Sequence, residues 1–231
     1  MTEPDRMDER LRALGLAEAQ RMAEALFADV MARDVITPGR GTREAGRWIG
    51  DLARQAYGPA ARRTEPVIRS GPHTMTPYEP EPPDRVVGED DVVVADLGPI
   101  LRGYETQFAR TVAFGNDPHK HSLVEDLPRV FDAGRKAFYT DTGITGRQLY
   151  AEVQAVAAKA GWTLGGGHVG RLVGADPATD FHHGHAFLCP DNDQPLRRIV
   201  HGGWQAHWIL EIHLVDEQQG FGGTHKGLLN L

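Results

Sequence analysis

Apolar residues recur at helical spacing near the start of the chain and at strand spacing through its middle and end. Over residues 5–33, Leu11 and Leu14 are followed by Met22, Leu26 and Val30 at four-residue steps with charges between them. This predicts an amphipathic helix that turns Met22, Leu26 and Val30 to a core. Thr37-Pro38-Gly39 breaks that helix, and a second spans Thr42–Tyr57 and stops at Gly58-Pro59. Residues 63–70 look extended and lead into Gly71-Pro72-His73 and a proline-rich loop over 76–83. An apolar run over 92–95 then delivers an acid, Asp96, at its end. After the Gly98-Pro99 break, a second extended run carries Gly103, Tyr104, Gln107, Arg110 and Thr111.

Asn116-Asp117-Pro118 turns the chain into a helix of roughly 120–139, whose first part is disturbed by Asp126-Leu127-Pro128. Thr145-x-x-Gln148 is a capping box that opens the next helix, with Leu149, Val153, Val156 and Ala160 as its inner stripe and Gly161 as its stop. The final third returns to strands and glycine over 161–174, 181–190, 207–216 and 220–229. The Gly165 to Gly167 run has no helix after it, which rejects a phosphate loop.

The arrangement Asp96-x-Gly98, followed by Gly103-Tyr104-x-x-Gln107-x-x-Arg110-Thr111, resembles the signature of the pita-bread family of methionine aminopeptidase, aminopeptidase P (prolidase) and creatinase. The opening of helix, Thr-Pro-Gly turn and helix is similar to the start of that family's catalytic domain, as is the segment over 143–150. The resemblance covers nearly the whole chain. It implies an α/β (α+β) fold, a curved and mostly antiparallel sheet flanked by two helix pairs, with a pocket on the concave face. It also implies one domain over 1–231, without the extra N-terminal domain of aminopeptidase P, and a homodimer.

In the metallopeptidase relatives, two divalent ions are held by two aspartates, a histidine and two glutamates. Set against that pattern, Asp96 and Glu211 keep their acids, whereas Gln107, Arg171 and Lys226 stand at the other three positions. His168, three residues before Arg171, is the other candidate for the histidine position. Two carboxylates would then be balanced by a guanidinium and an ammonium, and a lysine there repels a divalent ion. The expectation is a metal-independent enzyme without a cofactor. Acid/base chemistry (a lyase, cyclase, isomerase or creatinase-like hydrolysis) would act on a small amino-acid-like or peptide-like molecule. Asp96, Glu211, Lys226 and a histidine from His73, His182 or His183 would be catalytic, while Gln107, Arg171, Tyr104 and His213 would bind substrate.

Two alternatives stand beside this. One is an active metallo-aminopeptidase or Xaa-Pro peptidase, with Asp96, His168 and Glu211 holding a divalent metal. The other is a catalytically silent binding protein, in which Asp96, Arg171, Glu211 and Lys226 form only a buried ion network.

Composition narrows the partners. A net charge of −7, with no cluster of Lys and Arg among aromatics, gives no footprint for nucleic acid. No apolar run approaches the roughly 20 residues a bilayer needs, so no membrane is expected and the location would be cytoplasmic. The single cysteine, Cys189, cannot form an internal disulfide and reads as a structural thiol. The cluster His182-His183-x-His185 would need further ligands to hold a transition metal.

Overall fold

The amphipathic pattern at the start of the chain becomes α1 (Glu3–Ala32), and the segment after the Thr-Pro-Gly turn becomes α2 (Thr42–Tyr57). Leu26 and Val30 are buried as their spacing requires, whereas Leu11 and Leu14 are more than half exposed. The computed structural model describes residues 3–58, 61, 66–76, 82–98, 107–174, 184–200 and 203–230, with side chains from Asp8 onward. Tyr104, His182 and His183 lie outside the described residues, as do most of the loop over 76–83 and the strand expected through 181–183.

Among the described residues, seven strands make one sheet. They are β1 (Val67–Ser70), β2 (Val92–Gly98), β3 (Phe108–Ala113), β4 (Thr163–Leu164), β5 (Gly170–Leu172), β6 (Trp208–Asp216) and β7 (Phe221–Leu228). Their order is β1-β2-β3-β7-β6-β4, with β5 also on β6, and every pairing is antiparallel. A mixed α/β architecture with an antiparallel sheet and two helix pairs is therefore present. Residues 184–186 form a short 3-10 turn where an extended run was expected.

The third helix, α3 (Pro118–Thr140), runs unbroken through Pro128. A proline inside a helix costs about 3 kcal/mol. Here Leu123, Leu127, Val130, Phe131 and Phe138 on the same helix are buried, and that packing outweighs the local loss. The capping box at Thr145 and Gln148 opens α4 (Gly146–Lys159) as read from the sequence.

Strand parity assigns the faces of the sheet. Val93, Ala95 and Phe108 share one core with α1 and α2, and Leu210, Ile212, Leu214 and Phe221 share another with α3 and α4. Both helix pairs thus cover one face. Residues of the opposite parity, among them Asp96, Ala109, Glu211 and Lys226, point to the other face. The two halves meet at a seam between β3 and β7, where the ladder registers only Ala109 opposite Lys226. Side chains of β3 bond across the rest of that seam: the Thr111 hydroxyl donates to the Thr224 carbonyl at 2.9 Å and accepts from the Thr224 amide at 2.7 Å, and Arg110 Nη1 donates to the Lys226 carbonyl at 2.8 Å. No helix among the described residues is long and apolar enough to cross a membrane.

On the helix-covered face, His225 packs against the Phe131 ring at 4.6 Å. Burial, reinforced by the Arg110 guanidinium, pushes its pKa down to about 3. The ring is therefore neutral in the folded protein and takes up a proton far more readily once unfolded. Stability should fall as pH drops from about 6.5 toward 3, by up to about 1.4 kcal/mol per pH unit. Thermal unfolding from pH 7 to pH 5 is expected to show this slope in the wild type and a shallower one in His225→Leu.

Candidate active site

The sheet register lines up four positions in a transverse row: Asp96 opposite Ala109, Ala109 opposite Lys226, and Lys226 opposite Glu211. Residues paired across an antiparallel ladder point to the same face. The Glu211 amide donates to the Val169 carbonyl at 2.8 Å, so the row continues toward β5. Ala109 carries only a methyl group between Asp96 and Lys226, and the lysine reaches across it. Lys226 Nζ donates to Asp96 Oδ2 at 2.9 Å and lies 3.2 Å from Glu211 Oε1.

This pairing is buried. The side chains of Glu211 and Lys226 are 1% and 6% exposed, and that of Asp96 is 19%. Burial alone would raise the Asp96 pKa, but the Lys226 ammonium and the Gly98 amide, which donates to Oδ1 at 2.9 Å, outweigh it and hold the carboxyl below its usual value. For Lys226, burial would lower the pKa, and the two carboxylates win and raise it. The ion pair is thus formed across the neutral range. Glu211 Oε2 is buried without a hydrogen-bond partner among the described residues.

Further charges surround the row. Arg171, opposite Ile209 on β5, shares the parity of Glu211, is 7% exposed and acts on both Lys226 and His168. Its placement depends on Gly170, whose φ of +151° and close approach to the Ile209 carbonyl leave no room for a side chain. His168 is half-buried near Glu211, and burial leads the causes that lower its pKa. Gln107 is half-buried just before β3.

His213 stands two residues beyond Glu211 on the same face, 4% exposed, with its Nε2–H donating to the Thr74 carbonyl at 2.9 Å. Thr74 belongs to the 3-10 turn Gly71–Met75, and its hydroxyl also accepts from the Gly222 amide at 2.9 Å. Gly165 and Gly222 pack so close to the His213 ring that a methyl group on either would press into it. His213 thereby anchors the turn that carries the half-buried His73. Arg69, buried on β1 at the parity of Asp96, acts on both Asp96 and His213 and was not singled out from the sequence. An arginine at the inward position of the short run Val67–Ser70 was the signal for it.

The row therefore brings together Asp96, Glu211 and Lys226, with Arg171 and His168 within electrostatic reach. His213, also within electrostatic reach of Glu211, holds the turn that carries His73 through the Thr74 carbonyl. A groove of about 480 Å³ lined by Ala133, Ala137, Ile144 and Glu152 lies on the surface of α3 and α4, away from this chemistry.

A family model described as Metallopeptidase family M24 matches residues 15–198. The Xaa-Pro dipeptidase of Lactobacillus helveticus is 27% identical over 141 residues, which is 61% of this chain and 38% of that protein. Among solved structures, X-Pro aminopeptidase from Thermotoga maritima superposes with a TM-score of 0.72 at 18% identity, covering 98% of this chain and 65% of that one. Prolidase from Pyrococcus furiosus gives 0.70 at 18% identity, covering 92% and 58%. The matched regions span about a third of the length of the curated relatives.

These findings correct two expectations. The family that matches is one of metallopeptidases and its relatives are Xaa-Pro peptidases, so the metal-independent lyase, cyclase or isomerase gives way to the Xaa-Pro peptidase alternative. The expectation of no cofactor falls with it, because the family implies a divalent metal. The described side chains do not by themselves fit that metal. An ammonium fills the gap between Asp96 and Glu211, and no group of three or more His, Cys, Asp or Glu among the described residues is arranged to hold an ion.

Proposed function

Because the chain belongs to metallopeptidase family M24, we propose that it acts on peptides of the Xaa-Pro class, the substrates named for its relatives, and hydrolyses them at the transverse row. The observation that carries this reading is Glu211. Its carboxylate is buried, held through one oxygen by Lys226, and left with the other oxygen unused. Amide hydrolysis forms a bond from water oxygen to the carbonyl carbon, breaks the bond from carbon to nitrogen, and moves a proton from the water to the departing nitrogen. In this reading Glu211 accepts and returns that proton, which its unpartnered Oε2 supports. Lys226 and Arg171 supply positive charge beside the carbonyl oxygen as it gains negative charge. His73, on the turn held by Thr74, and Gln107 would orient the peptide. The substrate-binding roles of Tyr104, His182 and His183, the single domain, the homodimer and the cytoplasmic location belong to the same proposal.

The double contact of Lys226 favours a second reading, in which the chain binds such peptides without cleaving them. One experiment separates the two. Release of amino acid from Xaa-Pro dipeptides and longer Xaa-Pro peptides is measured with chelator and with manganese, cobalt or zinc added singly. Cleavage in at least one condition is expected, together with a loss of about 100-fold or more in Glu211→Gln. Peptide binding by calorimetry without product in any condition would overturn the peptidase reading and establish the second.

A further inference from the structure

The chemistry of the row is that of a cation site already filled by the protein itself. Asp96 Oδ2 and Glu211 Oε1 converge on one ammonium at 2.9 and 3.2 Å, and the unpartnered Glu211 Oε2 adds a third buried oxygen to the same acid pair. Carboxylate oxygens are the donors that hard divalent cations take, at about 2.0–2.6 Å. An ion bound at that distance from both acids would stand in the space that Lys226 Nζ now fills, and the positive charge of Arg171 nearby opposes any second cation there.

We propose that Lys226 is a resident cation, and that its ammonium and a divalent metal are mutually exclusive occupants of the place between Asp96 and Glu211. A metal enters only where the lysine leaves. The lysine thus sets the metal affinity of the row from within the chain. The inference uses family membership to name the rival ion and does not depend on peptidase activity, because its readouts are binding and unfolding.

The test compares wild type with Lys226→Met and, should that variant fail to fold, with the polar Lys226→Gln. Thermal unfolding and calorimetric titration are run with chelator and with manganese, cobalt or zinc. The variant is expected to bind at least one of these ions tenfold or more tightly than wild type, and its unfolding temperature is expected to rise with that ion while that of wild type stays within 1 °C, about the scatter such midpoints carry against the several degrees that 1 kcal/mol produces. Equal binding by wild type and variant overturns the proposal, because the lysine would then exclude nothing. Absence of binding by either variant also overturns it, because the two acids would then not form a cation site. In either case the hydrolysis assay on Xaa-Pro peptides still decides the peptidase reading separately.

Discussion

Replacing Lys226 by methionine is expected to cost about 3–5 kcal/mol of folding stability in the presence of chelator. The size follows from what is left behind. The side chains of Asp96 and Glu211 are 19% and 1% exposed, and both rely on the ammonium at 2.9 and 3.2 Å as counter-charge. Methionine keeps most of the volume of the stem and removes only the charge, so the loss measures unpaired buried carboxylates and not a cavity. The pH dependence carries the sign. Asp96 is held below its usual pKa, so its contribution is complete above about pH 4 and fades as the solution becomes more acidic. Lys226 is held above its usual pKa, so its contribution is complete up to about pH 10.4 and fades only beyond that. The difference between variant and wild type in denaturant unfolding should therefore be larger at pH 8 than at pH 4, because the unpaired acids of the variant protonate as the pH falls, and it should shrink toward pH 3. A loss below 1 kcal/mol at pH 7 would mean that the two carboxylates find other partners once the ammonium is gone.

Gly170→Ala should be nearly as damaging. The residue holds φ at +151°, where L side chains rarely sit, and an added methyl would overlap the Ile209 carbonyl of the neighbouring strand and press on Leu188. Strain of about 1–3 kcal/mol and overpacking of about 1–3 kcal/mol apply together. Relief requires β5 to part from β6, and β5 carries Arg171. The expected result is a fall in stability of about 2–6 kcal/mol, with loss of amide protection at Val173, whose N–H donates to the His207 carbonyl at the end of the β5–β6 pairing. A variant that unfolds like wild type would mean that the backbone at this position tolerates a shift that the ladder does not suggest.

The sequence and the structure agree where the cause is local. Spacing of apolar residues placed α1, α2 and β6, and the pair Thr145 and Gln148 marked the start of α4. Asp96 stood out as a candidate because it ends an apolar run inside the pita-bread signature, and Glu211 because its segment resembles one in that family. What could not be read was register. That Lys226 lies opposite both Ala109 and Glu211 depends on how β7 slides between β3 and β6, and no residue in β7 alone states it. The anchoring role of His213 was hidden for the same reason: Thr74 is 139 residues away in the chain. Pro128 misled because helix propensity is a local cost, whereas the packing of Leu127, Val130 and Phe131 that overrides it is tertiary.

The narrow seam between β3 and β7 gives the row a mechanical meaning. Between β3 and β7 the half built on α1 and α2 meets the half built on α3 and α4 at one registered backbone position, with the Thr111 hydroxyl and the Arg110 guanidinium bonding across beside it, and Thr74 joins the same halves through His213 and Gly222. Lys226 rises from one bank of that seam and grips Asp96 on the far side of β3, so its ammonium is also a rivet between two plates. Whatever takes the lysine's place must either tie Asp96 to the neighbouring bank in turn or leave that tie unmade.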